Sequence, residues 1–204
     1  MKNVFKLSLN LFLRTILVCL LSFMAVITLT VIGSSEGYVN PVISVVFGVF
    51  YFIALLYFFI YSAWDEGKKD SNRVAIGQSK EMIYKGFLSA AIVVVPIITI
   101  FILTHVFGDY QNDIMNILNI IKLIFMWAGA YFTVPFTGGV STTTIEPGAE
   151  TDPTTAIIMT SILCGVYVAS WIGSGVGYIF GYKKISFIPK LMTTFFGVDY
   201  KQKN

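Results

Sequence analysis

Four stretches of nearly uncharged, apolar residues constrain this chain more than any other feature: about 14–32, 42–64, 86–107 and 157–180. About 20 helical residues, rising 1.5 Å each, cover the roughly 30 Å of a bilayer's hydrocarbon core. Within lipid, a spanning segment must satisfy its own backbone hydrogen bonds, and a helix does so. With 56% hydrophobic and 12% charged residues, the chain carries more apolar surface than a small soluble domain is able to bury. The expected fold is an all-α integral membrane protein, with residues 1–204 forming one multi-pass domain.

A fifth apolar segment, about 112–136, is different in character. Asn112, Asn116, Asn119 and Lys122 form a polar stripe at steps of three and four, with Ile117, Ile120, Ile121 and Ile124 on the other side. Such a helix prefers the membrane interface. The charge distribution bears on whether it crosses. Thirteen of the fourteen basic residues fall in the N-terminal arm (Lys2, Lys6, Arg14), a 65–85 loop (Lys68, Lys69, Arg73, Lys80, Lys85) and a tail over 183–204. The turn at Gly33–Pro41 and the stretch 108–156 hold six acids and only Lys122 as a base. Basic residues favour the cytoplasmic side, so an even number of crossings is expected. The reading is four transmembrane helices plus one amphipathic interfacial or re-entrant helix, with both termini cytoplasmic in a plasma membrane. Five transmembrane helices is the alternative.

The first apolar run continues to Ile32, too long for a signal-peptide core, so an uncleaved first span is expected. Lys2, Lys6, Asn10 and Arg14 share one side of the helix leading into it. Pro96 is expected to kink the third span. Ser79 is a candidate cap for a short helix reaching Lys85, and Asn72 and Gly77 suit turns. Ile185, Phe187, Ile188, Leu191, Met192, Phe195 and Phe196 suggest an interfacial helix in the tail.

The most specific signal is in the last span. Gly165, Ala169, Gly173, Gly177 and Gly181 recur at a spacing of four. Small residues at that spacing make a flat face for close helix packing, either within the protein or against a partner subunit or second copy. Asp70, Asn72 and Arg73 form a candidate cytosolic contact, and Asn112, Asn116, Asn119 and Lys122 a candidate outer-surface stripe. No cofactor or metal site is expected. His105 is the only histidine, and neither the zinc-protease helix motif nor a redox Cys-x-x-Cys occurs. Cys19 and Cys164 lie inside apolar stretches. The basic balance, a net +3, is too small to indicate nucleic acid.

The segment Asp70-Ser71-Asn72-Arg73-Val74-Ala75-Ile76-Gly77, with Lys85-Gly86-Phe87 opening a span, resembles a loop of uncharacterised small multi-pass membrane proteins of Gram-positive bacteria. Gly177-Tyr178-Ile179-Phe180-Gly181-Tyr182-Lys183 is similar to their last span's end. The resemblance implies a bacterial membrane protein and no activity. Ionisable groups are missing from the centres of the four spans, whereas ion-coupled transport usually places them there. A noncatalytic membrane subunit or scaffold, packing through the last span's small-residue seam, is therefore the expected function. The alternative is a transporter component or substrate-binding subunit for a small neutral or lipid-like solute.

Overall fold

The computed structural model describes residues 2–33, 41–78, 82–107, 113–126 and 153–185. These fold into five helices: α1 (Lys2–Gly33), α2 (Pro41–Ala75), α3 (Lys85–Val106), α4 (Asp113–Met126) and α5 (Pro153–Tyr182). Four of them, α1, α2, α3 and α5, are long and apolar enough to cross a membrane. The described residues contain no strand. The described residues thus form an all-helical bundle of the kind that a membrane protein presents.

Each long helix buries one stripe. On α1 it runs through Val4, Leu7, Leu11, Thr15, Val18 and Ser22, the three-and-four spacing of one helical face. On α2 it is Tyr51, Leu55, Phe59 and Ala63, and on α3 Ala90, Val94, Ile97 and Phe101. α5 packs most extensively against α2 and next against α3, with Leu163, Tyr167, Ser170, Ser174 and Tyr178 buried. The remaining faces expose large apolar side chains such as Phe50, Ile53, Leu88 and Ile172, as lipid contact requires.

Several boundaries differ from the sequence reading. α1 is helical from Lys2 to Gly33, so the charged arm leading into the first span is continuous with it. Arg14 is accommodated because its guanidinium lies over the rings of Phe58, at 5.5 Å, and Tyr61, at 6.0 Å, a favourable cation–π placement. The segment assigned to a 65–85 loop continues α2 to Ala75, and Asn72 is helical. Intrahelical ion pairs, Lys69 with Asp65 and Arg73 with Asp70, support those turns. The stop comes at Gly77, whose φ of 70° closes a Schellman turn: Gln78 N–H donates to the Arg73 carbonyl and Gly77 N–H to that of Val74. α3 begins only at Lys85, after a turn at Ile83–Tyr84, and runs through Pro96 to Val106.

α4 covers 14 residues, about 21 Å. Met115 and Phe125 are buried, whereas Asn116, Asn119, Ile114, Ile117 and Ile120 are exposed. Its polar stripe and broad apolar face are therefore both turned outward, and a third, narrow face packs on α3 and α1. Asn112, Ser79, the Glu36 turn, the acidic stretch with Glu146, Glu150 and Asp152, and the tail helix from Phe187 lie outside the described residues.

Four helix ends gather at one end of the bundle. Lys6 of α1 faces Asp65 and Glu66 of α2 across a cleft. Lys85 at the start of α3 reaches Glu66 and Asp70, and Trp64 Nε1 donates to the Ile185 carbonyl just beyond α5. This is the charged end.

Candidate functional site

The charged end is built around a buried ion cluster. Glu66, Asp70 and Arg73 recur at steps of four and three on α2, which puts them on one face. Lys85 Nζ is 2.6 Å from Asp70 Oδ2 and 3.0 Å from Glu66 Oε1. Arg73 Nη1 is 2.9 Å from Asp70 Oδ1 and 3.3 Å from Glu66 Oε1. Tyr178 of α5 donates its hydroxyl to Asp70 Oδ2 at 2.9 Å. The Lys85 side chain is 2% exposed and that of Asp70 9%. Two cations and two carboxylates balance, so the burial of charge is compensated inside the cluster. The arrangement can clamp: one carboxylate, Asp70, is held by α2, α3 and α5 together.

Neutral hydrogen bonds reinforce the same junction. The Ser174 hydroxyl donates to the Gly86 carbonyl at 3.1 Å and Trp171 Nε1 to that of Phe87 at 2.9 Å. From α3, Ser89 donates to the Val4 carbonyl of α1 at 3.2 Å. All three tie the first turns of α3 to its neighbours, and all satisfy groups that burial would otherwise penalise.

The small-residue seam of α5 lies beneath this cluster, and α2 fills much of it. A Cβ at Gly177 would lie 2.5 Å from the Ile60 carbonyl oxygen, and one at Gly181 would overlap the Trp64 backbone. At Gly173 it would meet the Leu56 and Ile60 side chains. The reciprocal surface on α2 is Ala63 and Gly67: Ala63 is fully buried, and a Cβ on Gly67 would strike the Tyr178 carbonyl. Gly86 of α3 is equally close to Tyr178 and Ser174. The sequence carries the α2 half of this contact as a short small-xxx-small pair, Ala63–Gly67, which the longer series on α5 overshadows.

The outer part of the seam is different. Gly165 has nothing within 4 Å of its Cβ position. It lies in an open apolar groove of about 540 Å³ with Val49, Phe52, Ile53, Ile162 and Val166. Ser161 and Gly165 are exposed and Ala169 half-buried, so a second small-residue ridge, again at a spacing of four, remains accessible there.

The other candidate residues separate. Asp70 and Arg73 join the ion cluster, whereas Asn72 is exposed and apart from it. Asn116, Asn119 and the half-buried Lys122 stay on the outward side of α4. His105 is exposed near the end of α3, and among the described residues no three His, Cys, Asp or Glu side chains are grouped to hold a metal ion. Lys85, counted from sequence among the orientation-setting basic residues, and Glu66, not singled out there, are central to the cluster. A second groove, about 590 Å³ and almost wholly apolar, lies between α1, α3 and α4, bounded by Phe12, Ile97, Ile121 and Phe125.

No family model matches the sequence, and neither a curated protein nor a solved structure matches it.

Proposed function

We propose that this chain is a noncatalytic multi-pass membrane subunit that receives a partner transmembrane helix on the outer half of α5. The observation that carries this reading is the contrast within one series of small residues. Gly173, Gly177 and Gly181 are closed by α2, while Gly165 is open and shares an accessible face with Ser161 and Ala169. Helices in lipid associate through close packing at small residues, since the apolar effect between them is weak. A second copy of the chain is the simplest occupant, because the ridge is complementary to itself.

The clamped end fits the same role. A bundle pinned by its own ion cluster presents a fixed outer face rather than a moving one. The test is association of the purified protein in detergent or nanodiscs. Gly165→Leu abolishes the complex and leaves the monomer folded. A complex that survives Gly165→Leu, or a wild type that stays monomeric and carries no partner subunit, overturns the reading.

Four crossings with both termini on the cytoplasmic side accompany this proposal. The start of α1 and the end of α5 share the charged end, which supports an even count. α3 ends and α5 begins at the opposite end, so the chain between them returns to its own side. Phe125 of α4 touches Phe12 of α1, with ring centroids 6.2 Å apart, and its carbonyl accepts the Tyr167 hydroxyl at 2.8 Å. These contacts favour α4 as a re-entrant segment that dips into the bundle. A cysteine placed at Thr144 should be labelled from outside intact cells; labelling only after lysis refutes this topology.

The second reading, a transporter component for a neutral or lipid-like solute, draws support from the apolar groove between α1, α3 and α4. Retention of such a molecule through purification would favour it.

A further inference from the structure

The cleft between α1 and α2 at the charged end is a different kind of cavity. It is about 240 Å³, against roughly 30 Å³ for one water in the liquid. Its polar walls are Lys6 and Asn10 on α1 and Asp65, Glu66, Lys69 and Arg73 on α2.

The charges in the cleft are unequal. Asp65 is held by Lys69, and Glu66 by both Arg73 and Lys85. Lys6 has no ion-pair partner among the described residues and is exposed. One positive charge is left over, facing a pocket rimmed by two more cations and the Asn10 amide. A cation would find both carboxylates already engaged. A monoanion with several acceptor oxygens would find donors on both walls.

Below the cleft, the face of α1 that carries Lys6 and Asn10 continues through Leu13, Leu17, Leu21 and Met24, 57%, 48%, 51% and 63% exposed. Charge at the rim and an apolar track beneath it match a single molecule with a phosphate head and acyl chains.

We propose that this cleft holds the phosphodiester head group of an anionic phospholipid, with Lys6 and Arg73 on opposite sides of the phosphate and the acyl chains along α1. Glu66 and Arg73 belong also to the cluster around Lys85, so an occupied cleft adds to the clamp between α2 and α3.

The experiment uses the full-length protein, delipidated in detergent, with native mass spectrometry and thermal unfolding as readouts. The probes are phosphatidylglycerol, phosphatidylcholine and inorganic phosphate. Phosphatidylglycerol should bind one to one and raise the unfolding midpoint, and phosphatidylcholine should do neither. Lys6→Ala should weaken phosphatidylglycerol about fivefold, the value of one lysine against an anionic lipid surface. Lys183→Ala, at the same end but outside the cleft, should leave it unchanged. Asn10→Asp, which puts a carboxylate in the cleft, should also lose binding and covers the case in which Lys6→Ala fails to fold. Equal retention of both lipids, or equal loss in Lys6→Ala and Lys183→Ala, overturns the site. Protection by inorganic phosphate equal to that by phosphatidylglycerol overturns the lipid as its source. None of these outcomes depends on Gly165, so the subunit proposal stands or falls separately.

Discussion

Lys85 and Asp70, fifteen residues apart in the chain, meet at 2.6 Å inside the charged end of the bundle. One opens α3 and the other lies in the last turns of α2, and Tyr178 of α5 completes the contact from the third side. Breaking a buried pair from one side leaves a charge stranded, which costs about 3–5 kcal/mol, whereas replacing both partners is far cheaper. Lys85→Met should therefore lower stability by about that amount. Lys85→Met combined with Asp70→Asn should recover more than half of the loss in thermal or denaturant unfolding in detergent. Full loss in the double variant would show that the pair is not the source of the effect.

Tyr178→Phe removes one neutral donor from the Asp70 carboxylate and little volume. A hydrogen bond to a charged acceptor contributes about 1.5–3 kcal/mol. A loss in that range is expected, non-additive with Asp70→Asn because both act on one contact. A double-mutant cycle measures this directly; strict additivity would place the hydroxyl's contribution elsewhere.

The seam on α5 predicts a gradient. Gly177 approaches the Ile60 backbone and Gly181 that of Trp64, and a backbone does not yield as a side-chain tip does. Overpacking costs about 1–3 kcal/mol where some relaxation is possible, and more where it is not. Gly177→Leu should be the most disruptive, Gly173→Leu intermediate since it meets only Leu56 and Ile60 side chains, and Gly165→Leu nearly neutral for the isolated chain. Midpoints of unfolding for the three variants, ranked, check the order.

Both helices that end at the charged rim use the same stop. Gly77 follows α2 and Lys184 follows α5, with φ of 70° and 54°, and in each the turn carries paired bonds back to the last helical carbonyls. A left-handed conformation costs a non-glycine residue about 1–2 kcal/mol. Lys184→Gly should thus stabilise the protein by about 1 kcal/mol and Gly77→Ala destabilise it by a similar amount. Opposite signs for the two substitutions are the signature; like signs would argue against the turn as the cause.

The long apolar segments were legible because composition and length alone decide what a bilayer accepts. The fourfold spacing of Gly173, Gly177 and Gly181 announced a close-packed seam, because removing a Cβ has one consequence for any helix that approaches. What covers the seam was not legible, since a flat face is equally suited to α2 and to a foreign helix. Lys85 read as a loop charge and Glu66 drew no notice, because nothing local distinguishes a lysine facing water from one sealed between three helices. The extension of α2 through Asp65–Ala75 was missed for a related reason: charged residues are common in loops and in exposed helical turns alike.

Sequence by itself therefore determined the solvent, lipid, and the helical state of each long segment, because backbone groups in hydrocarbon have one way to be satisfied over such lengths. Only the tertiary structure decided which faces meet. It split the small-residue series of α5 into a closed half and an open half, and it drew Glu66, Asp70, Arg73, Lys85 and Tyr178 into one cluster. Those outcomes depend on distances between residues far apart in the chain, and pairing energies of that kind exist only once the helices are side by side.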